Sequence, residues 1–228
     1  MTIDASDRAA IGAAVTAAEA TTDAEIVAIV AQRSDAYHDA ALHWALLGML
    51  LLVAVMAAIP ARFVAVLDAV YGGGDWGGWG GALTMGQLLS ALLVLLIVVF
   101  LLLRWAASPD AVRMRLTPDS TKTRRVRARA VLLFRAAIEA RTATRTGVLL
   151  YVSLAERRAE IVTDEAVLAK VTPDAWGRAM AALVEGLKQG NAGDGMVAAI
   201  AQVGAVLADH FPHTGTDPNE LPDRLIEL

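Results

Sequence analysis

Two short clusters of oxygen-bearing side chains follow apolar runs in this chain. Ser34, Asp35 and Tyr37 come after EIVAIVA at 25–31, and Thr163 and Asp164 come after AEIV at 159–162. Carboxylates and hydroxyls are the hard ligands that Ca²⁺ or Mg²⁺ prefers. A cation so held can bind phosphate or activate water. In open α/β sheets, ligands sit beyond the carboxyl ends of the strands. If the two runs are parallel neighbours, Asp35 and Asp164 converge as metal ligands and catalytic carboxylates. Ser34, Tyr37 and Thr163 would then bind phosphate or another ligand beside them. The same residues also have plain structural uses. Ser34 and Asp35 form turns and caps, Asp164 suits the N-cap of a helix starting at Glu165, and Tyr37 can pack near a membrane interface.

Other chemistries are narrowed by what the sequence lacks. There is no cysteine, which excludes thiolate nucleophiles and disulfides. The four histidines, His38, His43, His210 and His213, do not have the spacing of a metal-binding helix or finger. No nucleophile elbow is present. GNAGDG at 190–195 lacks the Lys-Ser/Thr of a phosphate-cradling loop and reads as a turn with Gly190 as C-cap. No cofactor is demanded by a motif; Ca²⁺ or Mg²⁺ is the one the paired-aspartate reading would use.

The elements that must position these residues follow from periodicity. Residues 5–20 form an alanine-rich helix capped by Asp4 or Ser6. EIVAIVA is continuous and β-branched, as in a strand buried on both faces. VLLYVS at 148–153 and AEIV at 159–162 are two more strands, close enough to form a hairpin. A basic helix fills 119–144, with Val126, Ala130, Leu133, Phe134 and Ile138 as its inner stripe and Gly147 after it. Pro173 opens a helix to about Gln189, and Met196 to Phe211 form the last one. One helix and one strand at 1–36 cannot bury a core. The economical solution is one discontinuous α/β domain: a small central sheet flanked by helices, with the first strand joining the later hairpin.

Between the two pieces the composition changes. The 228 residues are 56% hydrophobic and only 19% charged, and mean hydropathy is +0.50. That is too apolar for an ordinary soluble domain. The excess lies in Leu42 to Ile59 and Leu88 to Leu103, each close to the length that crosses a bilayer. Trp44 and Trp105 flank them at interface depth. The expected organisation is a first domain part at 1–40, a transmembrane hairpin at 41–107 with spans at about 42–60 and 87–105 and a loop at 61–86, a second domain part at 118–212, and a loose acidic tail at 213–228. The loop carries one basic residue, Arg62, whereas many follow the second span. By the positive-inside rule both termini are then cytoplasmic. GGGDWGGWGG at 72–81 would lie outside, with Trp76 and Trp79 at the outer interface and Asp75 in a solvated turn.

KTRRVRAR at 122–129 invites a nucleic-acid reading. Net charge is −4, however, and no aromatic stacking platform accompanies the run. Close after a span, Lys122, Arg124, Arg125, Arg127 and Arg129 are instead expected to meet anionic lipid. The expected partners are a lipid bilayer and a membrane protein, with no nucleic acid.

TGVLLYVSLAERRAEIVTDEAV at 146–167, then Trp176, then ALVEGLKQGNAGDGMVAAIAQVGAVLADHFP, resembles the second half of a TPM domain. AEIVAIVAQRSDAYHDA at 24–40 resembles its first half. The resemblance covers roughly 1–40 and 120–212. It implies an α/β sandwich, here split by a membrane hairpin as in a membrane-bound bacterial subset, and hence the bacterial inner membrane. Members of that family act as assembly, repair or receptor-accessory proteins. Acid phosphatase activity is attributed to a plant member and divalent metal binding to some. The leading expectation is a membrane-tethered binding or accessory module. The alternative is a metal-dependent, acid phosphatase-like hydrolase of phosphomonoesters.

Overall fold

The computed structural model describes residues 2–71, 84–139, 146–215 and 224–228. The glycine–tryptophan segment with Asp75, Trp76 and Trp79, Arg141 and Arg145 of the basic stretch, and tail residues 216–223 lie outside them. The chain divides into two compact units, Met1–Asp35 with Asp119–Leu228, and Ala36–Pro118.

The first unit is built on three six-residue strands, β1 (Ile26–Ala31), β2 (Val148–Ser153) and β3 (Arg158–Thr163). β1 and β2 run parallel from Ile26 opposite Val148 to Ala31 opposite Ser153. β2 and β3 form an antiparallel hairpin in which Val148 faces Thr163 and Ser153 faces Arg158. The turn between them places Arg157 at φ 51°, a left-handed conformation that costs a non-glycine residue. A two-residue strand, β4 (Ile226–Glu227), pairs parallel with β1, so the order is β3-β2-β1-β4. The end of the expected loose tail is therefore part of the sheet.

Helices cover both faces, which is why β1 and β2 are apolar without alternation. Ile26, Ala28, Val30, Val148, Leu150 and Val152 pack against α1 (Ala5–Glu19), α8 (Gly177–Gln189) and α9 (Ala192–His210). Val27, Ile29, Leu149 and Tyr151 pack against Val126, Ala130 and Phe134 of α6 (Asp119–Phe134). These three residues recur at every fourth position, which gives the helix one inner stripe. α6 ends earlier than its alanine-rich sequence suggests, in a π-helical turn at Arg135–Glu139. α1 is capped by Asp4, whose carboxylate accepts from the Asp7 N–H at 2.8 Å while Asp7 returns the bond.

Only Gly190, at φ 83°, and Asn191 separate α8 from α9, so the expected GNAGDG turn is mostly helix. Glycines within α8 and α9 serve close packing. A Cβ on Gly186 would fall 2.6 Å from the Gly195 Cα, and one on Gly204 would fall 2.6 Å from the Ala18 Cβ. The helix expected from Pro173 opens instead with a 3₁₀ turn at Pro173–Trp176, after the short α7 (Glu165–Lys170).

The second unit holds α2 (His38–Ala58), α3 (Pro60–Tyr71), α4 (Met85–Ala106) and α5 (Asp110–Leu116). α2 packs along α4, where Gly48 leaves room for Leu103. Thr84 and Gln87 close a capping box at the start of α4. Most of α3 falls within the expected loop at 61–86, and Pro60 stands at its first position, where proline costs no hydrogen bond. The Trp44 indole donates to the Leu116 carbonyl at 2.9 Å.

Among the described residues three helices, α2, α4 and α9, are long and apolar enough to cross a membrane. They are not alike in surroundings. Nine of the 19 residues of α9 are buried, whereas no residue of α4 is buried.

Candidate functional site

The carboxyl ends of β1 and β2 lie side by side, and one network of polar groups forms there. The Leu154 N–H donates to the Ala31 carbonyl at 3.0 Å and the Ala155 N–H to Gln32 at 2.9 Å. These bonds hold the chain after β1 against the β2–β3 turn. The Ser34 hydroxyl then meets the Tyr151 hydroxyl at 2.9 Å, and the Ser34 N–H donates to Glu156 Oε1 at 2.9 Å. Ser153 Oγ donates to the other Glu156 oxygen. Above them the Arg125 guanidinium of α6 pairs with Asp35 at 2.6 Å.

Burial sets the electrostatics. Tyr151 is wholly enclosed, and loss of hydration pushes its phenol above the ordinary tyrosine range. The Ser34 hydrogen bond opposes that rise, the Glu156 charge adds to it, and Arg129 opposes it. Opposite Tyr151 on β3, burial likewise raises the Glu160 carboxyl, against the charges of Arg127 and Arg158. At the start of α6, Asp119 accepts from Lys122 at 3.2 Å and pairs with Arg158 at 3.2 Å. The Lys122 hydrogen bond and both cations hold its carboxyl below the ordinary range.

The sequence-derived site residues are thus separated. Ser34 and Asp35 belong to this network. Tyr37 falls in the second unit, at the N-cap of α2 with φ 52°. Thr163 and Asp164 lie at the opposite end of the sheet, because β3 runs antiparallel to β2. There Asp164 accepts from the Gly147 N–H at 3.1 Å and donates its own N–H to the Gly147 carbonyl at 3.0 Å. It stands at the N-cap of α7, but its side chain makes no cap bond there. A six-residue strand spans about 17 Å between the two ends, and one cation takes oxygens at about 2.3–2.6 Å. Asp35 and Asp164 do not share an ion, and the pair does not fit the metal centre that the family resemblance implies. Among the described residues no group of three or more His, Asp or Glu side chains could hold a metal.

The five basic residues expected at the membrane surface also divide. Lys122 and Arg125 pair within the unit, to Asp119 and Asp35. Arg129 acts on Tyr151 and Arg127 on Glu160. Arg124 and Arg127 line the outer face of α6.

Sequence reading missed Tyr151, Ser153 and Glu156. The available signal was a phenol and a hydroxyl inside VLLYVS, a strand otherwise wholly apolar. What the network does chemically is join the loop after β1, the hairpin turn and α6. Carboxylate, hydroxyl and guanidinium satisfy one another there.

The family model described as the TPM domain matches residues 112–206, so the resemblance read from the sequence is shown over that stretch. Curated proteins give no match. Among solved structures, the NMR structure of BA42 protein from the psychrophilic bacterium Bizionia argentinensis is similar. It is 18% identical with a TM-score of 0.57, over 100% of this chain and 97% of that one. At that identity the likeness shows the fold alone.

Proposed function

We propose that this chain is a membrane-tethered binding or accessory module of the bacterial inner membrane. α2 and α4 form a two-span hairpin, and the TPM-like unit and both termini are cytoplasmic. The observation that carries this reading is the exposure of large apolar side chains on those two helices. Leu51 is 63% exposed, Leu93 59% and Leu101 58%. Withdrawing a leucine from water is worth about 1.5–3 kcal/mol, so a row of them calls for an apolar solvent rather than water.

The hairpin would hold the domain where it meets a membrane-protein partner in assembly or repair. The self-satisfied network at the sheet end supports a binding scaffold over a hydrolase. The alternative, phosphomonoester hydrolysis on Ca²⁺ or Mg²⁺ shared by Asp35 and Asp164, has no geometry to support it.

Topology reporters test the proposal. A fluorescent protein fused after Leu228 is expected to fluoresce, and alkaline phosphatase inserted within 72–83 is expected to be active. An active phosphatase after Leu228 would overturn the orientation.

A further inference from the structure

The outward side of α6 is a second feature that the sheet-end network does not use. Arg124, Arg127, Ala128, Val131, Leu132 and Arg135 recur at the spacing of one helical stripe, away from Val126, Ala130 and Phe134. They line a groove of about 720 Å³. Leu132 is 57% exposed in it. Guanidinium groups thus flank a small aliphatic strip, and Arg127 lies within reach of the Glu160 charge on β3.

We propose that this face docks onto anionic phospholipid, with Arg124 and Arg127 on headgroup phosphates and Leu132 at the acyl boundary. Arg donors match phosphate oxygens in fork geometry, and a cationic rim around an apolar strip is the pattern of a helix lying in the interface. The stripe has no aromatic ring on which a nucleic-acid base could stack. The inference rests on the membrane reading, since only segment 107–118 separates the end of α4 from the start of α6. It also changes the set expected from the sequence: Lys122 pairs with Asp119 on its own helix and Arg125 pairs with Asp35, while Arg124 and Arg127 lie on the outward stripe.

The chain has no cysteine, so a single Leu132→Cys can carry an environment-sensitive fluorophore in the otherwise intact protein. The full chain is placed in nanodiscs of phosphatidylcholine, alone or with roughly a third phosphatidylglycerol. In anionic discs the emission is expected to shift to the blue and to resist an aqueous quencher. Adding Arg124→Gln and Arg127→Gln is expected to weaken docking by about tenfold or more, at roughly 1 kcal/mol per arginine removed. Equal emission in both lipids would overturn the proposal, as would a shift produced by added RNA and not by lipid. A second label at Leu93→Cys separates the two readings. Quenching there by brominated acyl chains, with Leu132 indifferent to lipid charge, sinks only the docking. No quenching at Leu93 sinks the membrane reading and the docking with it.

Discussion

Ser34 and Tyr151 meet hydroxyl to hydroxyl at 2.9 Å, joining the chain that leaves β1 to the middle of the sheet. Because Tyr151 is wholly buried, removing its hydroxyl strips Ser34 of a partner that water does not readily replace. Tyr151→Phe is expected to lower stability by about 1–2 kcal/mol, read as a shift in the chemical denaturation midpoint of the detergent-solubilised protein. An unchanged midpoint contradicts the network.

The same burial makes a pH prediction. The folded phenol titrates above the ordinary tyrosine value, so the folded state holds its proton more tightly than the unfolded state. The stabilising contribution is present in full below the unfolded value, near 10, and is lost as pH rises through the folded one. Ultraviolet difference titration is expected to show tyrosine ionisation above the ordinary range, and Tyr151→Phe to remove one tyrosine from that late step. A uniform titration of all tyrosines would refute it.

Asp35 and Arg125 form an ion pair with side-chain exposures of 35% and 27%, so solvent screening keeps it modest. A double-mutant cycle with Asp35→Asn and Arg125→Gln is expected to give a coupling of about 0.5–1 kcal/mol. Asp35 and Asp164, at opposite ends of the sheet, are expected to be independent. Asp35→Ala and Asp164→Ala should add within about 0.5 kcal/mol, with or without Ca²⁺ or Mg²⁺. A coupling that appears only with the cation would restore a shared site.

The α8–α9 contact supplies a packing test. Gly186→Ala puts a methyl against the backbone of Gly195. Backbone cannot yield as a flexible side chain does, so a loss of about 1–3 kcal/mol is expected. Gly177→Ala, where a Cβ meets nothing within 4 Å, is the control and should be neutral or mildly stabilising.

How far the sequence revealed this depends on the residue. β2 was legible in full because VLLYVS is apolar on both faces, and β1 and β3 were legible to within a residue at their ends. The hairpin was legible from its short turn. That turn also decides the site, because a hairpin sends β3 back and carries Thr163 and Asp164 away from Asp35. The pairing of aspartates assumed parallel neighbours, which the hairpin does not allow. Tyr151 was hidden by its own setting, since one hydroxyl in an apolar strand reads as core. β4 was too short to show periodicity. Glycine-rich GNAGDG looked like a turn because the close approach that favours Gly195 comes from Gly186, a residue in the other helix. Amphipathic α3 was masked by its place between two longer apolar runs.

The most direct test of the central claim is alkaline carbonate extraction of membranes from cells that make the full chain. Extraction strips peripheral proteins and leaves those held by spans. The chain is expected to stay in the pellet, and to stay there when Arg124 and Arg127 are both changed to glutamine, because α2 and α4 do the holding. Release of the unaltered chain into the supernatant would contradict it.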